Sequence, residues 1–546
     1  MKQNRILRFA PLVYWLMAGV EAIVLRNWWR KGQNGSDAYA LGAVIVAAHM
    51  LRLVFLGFRA RDQRADNREI QEALLQTSGN HGTARCATEE DIKKAGMHKN
   101  SGAAIPLGRL GKTDVWLNNP VSLLTCAPAG SGKGVSMIVP TLLTWKHSCI
   151  VSDPKGELYF TTKRQRAKFG KVIALCPYSA QLSEKFNIPI LDHGCNVLSF
   201  LKRSGRRIHD DCKMVASVLI PSRPNARESE EFWSKSGREI LTAAMLNEMS
   251  LHGEVTLPRL YEILCMSPSD TASWIKQMSE NTAYGGTIAE YGRKFATVFN
   301  GAAKQWVAQI SVAQNSVEIY SKSSELGLHC SSGEIDWASL TETTTTIYLI
   351  LPGEKTASHS AWLNFVLSMA IEMIARARPK NPVLMLMDEF ANLGYMPAVI
   401  RLINLYRAQK LIPWLIVQTL NQLESLYGKV GLETILASIA TFTAFNVNDQ
   451  QTSEHISKLV GSTTIKQVSV NNNIDEQTGM PKTSESFSEC GIPLLRPEDV
   501  RNLPPKIALS FVPKMPPIMA ERENYYEDEE FNALADPNPY ETIEEV

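Results

Sequence analysis

Apolar runs of strand length alternate along most of this chain with stretches of helical period. The runs lie at residues 122–126, 148–151, 171–175, 345–351, 383–387, 412–417 and 441–447. Helical patterns fill several of the gaps between them, at 134–145, 359–376, 397–409 and 451–460. Strands alternating with helices of that length predict an α/β fold, with a parallel sheet covered by helices on both faces. One stretch breaks the alternation. From 205 to 321 the period is helical throughout (211–219, 230–250, 257–265, 270–279, 287–300 and 302–320), with almost no strand signal. The simplest account is an all-α domain inserted into the α/β domain, dividing it into a first part at 59–204 and a second at 322–520. Two domains in series would leave the first half-sheet unfinished. Residues 466–489 are rich in Ser, Asn and Thr and read as a loop or flexible hairpin.

The first 58 residues follow another pattern. Residues 9–25 give 17 largely apolar positions and 38–58 give 21, and the second run is long enough to cross a bilayer. No small-residue cleavage site follows the first run, and Asn27-Trp28-Trp29-Arg30 resembles an interfacial anchor instead. The expectation is a transmembrane hairpin with a short outer loop. Lys2, Arg5 and Arg8 before it, and Arg59, Arg61, Arg64 and Arg68 after it, place both ends in the cytoplasm, against the contrary Arg26, Arg30 and Lys31 of the loop. Glu21, His49 and Arg52 are costly inside such spans.

Composition changes this picture little. A chain of 546 residues with net charge +2 suffices for about two to four domains and does not advertise a nucleic-acid binder. Its nine cysteines form no C-x-x-C pair, which reads as a reduced cytoplasmic body with neither a zinc site nor a disulfide framework. Residues 521–546 hold ten acids against Arg522 alone. Such a segment reads as a solvated end, or as a docking tail for a basic partner.

The candidate chemistry starts at Ala127-Pro128-Ala129-Gly130-Ser131-Gly132-Lys133-Gly134, followed by Val135. A glycine-rich turn between a strand and a helix lets backbone N–H groups wrap a polyphosphate while Lys133 reaches the β- and γ-phosphates. The octet departs twice from G-x-x-x-x-G-K-[ST]: Ala127 replaces a Gly, and Gly134 replaces a Mg²⁺-binding hydroxyl. Residues 383–387 form a second buried strand, which carries Asp388 and Glu389 to the carboxyl edge of the sheet. There the first acid holds the Mg²⁺ shell and the second polarises an attacking water. A third strand, at 412–417, delivers Gln418 beside them. Arg407, at the outer end of a helix, is either an arginine finger for a neighbouring subunit or an ordinary helix-terminal Arg. Asp153, in Asp153-Pro154-Lys155-Gly156-Glu157, either joins the Mg²⁺ shell or belongs to a turn.

Together these residues resemble the type IV secretion coupling proteins, the VirD4/TraG group of conjugation ATPases. The matching segments are His81-Gly82-Thr83-Ala84-Arg85, Ser131-Gly132-Lys133-Gly134-Val135, Asp153 to Glu157, Phe232-Trp233-Ser234-Lys235-Ser236, Asp388-Glu389-Phe390, Gln418 with Asn421-Gln422-Leu423, and Leu494-Leu495-Arg496-Pro497-Glu498. Gly after the loop Lys is usual in that branch; Ala127 has no such account. The resemblance implies a RecA-like body, ATP and Mg²⁺ as cofactors, and a hexamer with nucleotide at each interface. It assigns Arg407 the trans-acting role. It also implies a bacterial inner-membrane location with a periplasmic loop, and an inserted domain that selects substrates. Those substrates would be relaxase-bound single-stranded DNA or effector proteins, passed to the type IV secretion channel. The rival readings are a membrane receptor whose ATP binding is structural, and a double-stranded DNA translocase.

Overall fold

The computed structural model describes residues 79–223, 226–474 and 481–540, with six isolated positions before them. Apart from four of those isolated positions, the apolar segments at 9–25 and 38–58 lie outside the described residues, as do Glu21, His49 and Arg52. Among the described residues no helix is long and apolar enough to cross a membrane. The chain divides into two compact units, Ala84–Gly461 with Pro493–Val546, and Met1–Thr83 with Ser462–Ile492.

Among the described residues thirteen strands occur in the order β1 (Ala104–Leu110), β2 (Thr113–Asn118), β3 (Leu123–Cys126), β4 (Ser148–Asp153), β5 (Lys171–Leu175), β6 (Thr345–Ile350), β7 (Val383–Met387), β8 (Leu411–Val417), β9 (Thr441–Ala444), β10 (Ser462–Ile474), β11 (Pro481–Pro493), β12 (Ile507–Phe511) and β13 (Ile518–Glu521). The larger unit holds an 11-stranded sheet in the order β2-β1-β13-β12-β9-β3-β8-β7-β4-β6-β5. From β9 to β5 every neighbour is parallel. The other four strands add antiparallel. The expected parallel sheet is present but extended: the whole sheet is mixed, and its antiparallel flank comes from segments on either side of the parallel body.

The parallel strands form because their residues are buried on both faces. Along β7, Val383, Met385 and Met387 enter one hydrophobic cluster, while Leu384 and Leu386 enter the other. That is the period-2 alternation of a strand between two cores. Helices follow from capped starts and apolar stripes; Thr256 and Ser267, for example, accept the N–H groups of Arg259 and Asp270. Between β5 and β6 no strand occurs among the described residues. Helices Ile208–Leu219, Glu228–His252, Leu257–Leu264, Pro268–Glu280, Thr287–Gly301 and Ala303–Val317 run there instead. Their Val215, Leu241, Trp274 and Val317 belong to the cluster that holds Ile347 and Met385 of the sheet. One continuous core therefore carries both helical segment and sheet.

In the smaller unit β10 pairs with β11. The Thr464 N–H and hydroxyl both reach the Gly82 carbonyl, at 3.0 and 2.9 Å.

As far as Tyr540 the acidic segment is not the solvated end its composition predicts. β13 runs to Glu521, and Arg522, Tyr525 and Asn538 are buried. The helix Glu529–Leu534 is capped by Asp528. Beyond it Asp536 pairs with Arg164 at 2.6 Å, and the Tyr540 hydroxyl donates to the Lys155 carbonyl at 2.7 Å. The acids mostly stay at the surface while Phe531, Leu534 and Tyr540 pack on the core, a division that charge counting does not see.

Candidate functional site

Three neighbouring parallel strands, β3, β8 and β7, end side by side and carry the candidate residues at their carboxyl edge. Ala127 continues β3, donating its N–H to the Val417 carbonyl at 2.8 Å. It is fully buried and has no positive φ, so a Cβ is accommodated and glycine is not needed there. Pro128 and Ala129 lead into Gly130 (φ +71°), Ser131 and Gly132 (φ +80°). Both glycines occupy the left-handed region that costs a side-chain-bearing residue most. Among the described residues the N–H groups of Gly130, Gly132 and Lys133 have no hydrogen-bond partner. The Ser131 hydroxyl is buried and likewise unpartnered. Unpartnered donors on a curved loop at the start of a helical turn fit a polyphosphate.

Gly134 opens a π-helical turn, Gly134–Ile138, that continues as the helix Val139–Thr144. A Cβ at Gly134 would meet nothing within 4 Å, so packing does not impose this glycine.

Lys133 projects between the two acids. Its Nζ lies 3.3 Å from Asp388 Oδ1 and donates to Glu389 Oε1. Glu389 Oε2 accepts from Gln418 Nε2 at 2.9 Å, and Gln422 Oε1 accepts the Gln418 N–H at 2.9 Å. Glu389 holds its carboxylate there from a left-handed backbone (φ +52°), a strained turn just past β7. Burial pushes the Asp388 carboxyl up, against the lowering effect of Lys133. Burial would lower Lys133, but Asp388 and Glu389 together outweigh it and raise the ammonium. A buried carboxylate next to a cation-seeking Glu, facing unpartnered loop amides, is a donor set suited to Mg²⁺ held with a nucleotide. Among the described residues no group of three His, Cys, Asp or Glu side chains forms a metal cage by itself.

Lys133, Asp388, Glu389 and Gln418 are thus brought together as the sequence predicts. Asp153 is not joined to them. It ends β4, is almost fully buried, and accepts the Tyr159 N–H at 2.8 Å, which closes the turn into the helix Glu157–Phe169. Burial pushes its pKa up to about 7 from 3.8. The folded chain therefore holds a proton on Asp153 that the unfolded chain has already lost, and this contribution to stability fades as pH rises from about 4 to about 7. Asp153→Asn should flatten that part of the stability profile, as measured by denaturant unfolding at pH 4.5 and pH 7.5. An unchanged slope would show that Asp153 ionises normally.

Arg407 begins a single turn of 3-10 helix, Arg407–Gln409, after the helix Pro397–Leu405; its side chain lies outside the described residues. Sequence reasoning missed Arg522. Its guanidinium donates to the Ser131 carbonyl at 3.2 Å and to the Ser136 hydroxyl at 2.5 Å. The one available signal was a lone basic residue in an acidic run.

A glycine loop after a central parallel strand, with its lysine between two acids at the end of a nearby strand, defines a phosphate-loop α/β protein. Comparison with known proteins narrows the class. Residues 85–543 match the family described as Type IV secretory system Conjugative DNA transfer, and the chain belongs to that family. It is 24% identical over 507 residues to the conjugal transfer protein TraG of Escherichia coli, a match covering 83% of this chain and 78% of TraG. It is 25% identical over 469 residues to protein VirD4 of Rhizobium rhizogenes, covering 83% and 67%. Among solved structures it resembles the plasmid coupling protein TrwB in complex with the ATP analogue ADPNP. The TM-score is 0.59 at 16% identity, over 81% of this chain and 93% of that one. TrwB with ADP and Mg²⁺ gives the same TM-score at 15% identity, over 81% and 94%. At such identity the structural likeness is one of fold.

Proposed function

We propose that this chain is an ATPase that couples substrates to a type IV secretion channel. The observation that supports it most is the position of Lys133, whose ammonium sits on both acids below a loop of unpartnered N–H groups. ATP offers that lysine a polyphosphate in exchange for two carboxylates. The exchange frees Glu389 Oε1, while Gln418 keeps hold of Oε2. Glu389 Oε1 then accepts a proton from the attacking water, and Gln418 senses whether the exchange has occurred. Asp388 and the loop residues Ala127 to Val135 would hold the Mg²⁺–nucleotide. Mg²⁺, when bound, neutralises charge that develops on the phosphate oxygens. Gly134 supplies no hydroxyl, so Asp388 is the metal's main protein partner in this reading, acting through water. Asp153 keeps the structural role its geometry gives it.

TrwB's complexes with ADPNP and with ADP and Mg²⁺ support ATP and Mg²⁺ as ligands here. Family membership supports conjugative transfer as the process, with relaxase-bound single-stranded DNA or effector proteins as substrates. In the same reading the segment 205–321 selects substrates and residues 1–58 anchor the chain in the bacterial inner membrane. Six subunits form a ring, with Arg407 reaching across each boundary.

Glu389→Gln tests the chemistry. It keeps the side chain's volume and removes the base, so hydrolysis should fall about 100-fold with nucleotide affinity nearly kept. Phosphate release and equilibrium binding measure the two. Parental hydrolysis by this variant would remove Glu389 from the mechanism.

A further inference from the structure

We infer that Arg522 is a positioning residue for the phosphate loop, presetting two of its peptide N–H groups from outside. The inference rests on the nucleotide reading above. In a trans peptide the C=O and the following N–H point in opposite directions, and no cis peptide occurs among the described residues. Arg522 Nη2 draws the Ser131 carbonyl to one side at 3.2 Å, which turns the Gly132 N–H to the other. Arg522 Nη1 donates to the Ser136 hydroxyl at 2.5 Å, so the Ser136 proton goes to the Gly132 carbonyl at 2.7 Å. That carbonyl also accepts the Ser136 N–H at 2.9 Å. Its orientation directs the Lys133 N–H. One guanidinium therefore holds two successive peptide planes, and the N–H groups they aim are two of those left unpartnered.

Arg522 is itself held. It is 5% exposed, stacks 3.6 Å from the Phe445 ring, and donates to the Pro505 carbonyl at 2.6 Å. The Tyr525 N–H bonds the Val135 carbonyl at 2.9 Å, fastening the segment after Arg522 to the first helical turn. Burial lowers its pKa to about 10, so it remains charged at neutral pH. A lysine has no planar fork, so its single compact ammonium matches two separated acceptors less well.

The test is equilibrium binding of a non-hydrolysable ATP analogue to the full-length chain, with folding followed by thermal unfolding. Arg522→Gln should weaken binding by about tenfold, Ser136→Ala should weaken it less, and Arg522→Lys should fall between Arg522→Gln and the parent. Ser136→Ala removes only a hydroxyl and tests the relay if Arg522→Gln does not fold. An arginine that merely anchors the C-terminal segment would lower the melting temperature and leave the affinity of folded molecules unchanged. Parental affinity in folded Arg522→Gln, or in Ser136→Ala where only that variant folds, overturns the inference. Lys133→Ala in the same assay separates the failures: if it also binds normally, the nucleotide reading itself is wrong.

Discussion

Lys133→Ala should weaken binding of an ATP analogue by about 100-fold and abolish hydrolysis. The lysine is the only cation joined to Asp388 and Glu389 among the described residues, and it is mostly buried between them. Its loss leaves two adjacent carboxylates facing the loop, and a polyphosphate then meets negative charge where it needs a charged donor. The effect should be larger than that of Glu389→Gln, because both affinity and turnover depend on the same ammonium. Titration with a fluorescent ATP analogue and measurement of phosphate release resolve the two. Full substrate transfer by Lys133→Ala without hydrolysis would favour a receptor whose nucleotide binding is structural.

Arg407→Ala should reduce turnover about 10³-fold while nucleotide affinity stays near the parental value. A guanidinium supplied across a boundary stabilises charge that exists only in the transition state, so binding should not register its absence. Mixing offers a sharper check. In a ring containing Arg407→Ala and Glu389→Gln subunits, some interfaces regain an intact Glu389 opposite an intact Arg407. Activity recovered on mixing supports action in trans. No recovery from co-assembled subunits would leave Arg407 an ordinary residue of the turn after the helix Pro397–Leu405.

How much of this was legible in the sequence varied with the kind of contact involved. The runs 171–175 and 383–387 became β5 and β7 without a shift of boundary. Strands buried on both faces write an uninterrupted apolar run. β1, β2, β12 and β13 left no such mark. They lie at the antiparallel end of the sheet, β2 alternates buried with more exposed positions, and β1 is broken by Pro106 and Gly108, where its register shifts. Lys133, Asp388, Glu389 and Gln418 were legible because each stands just past a buried strand or in the glycine turn. Asp153 stands in an equivalent place, yet its carboxylate turns to the Tyr159 N–H, a choice made by the local turn and not by composition. Arg522 was hidden for the opposite reason. Its sequence surroundings are acidic, and the partners that give it a role are a carbonyl and a hydroxyl 391 and 386 positions away. Ala127 looked irregular only against a pattern; its buried Cβ and ordinary φ explain it.

The central claim is that a nucleotide takes Lys133 from the two acids. A structure of the full-length chain with a non-hydrolysable ATP analogue and Mg²⁺ tests this most directly. The account predicts Lys133 Nζ on the phosphates, away from Glu389, with Gln418 still on the Glu389 carboxylate. Nucleotide bound elsewhere, or bound here with the Lys133–Glu389 pair intact, would contradict it.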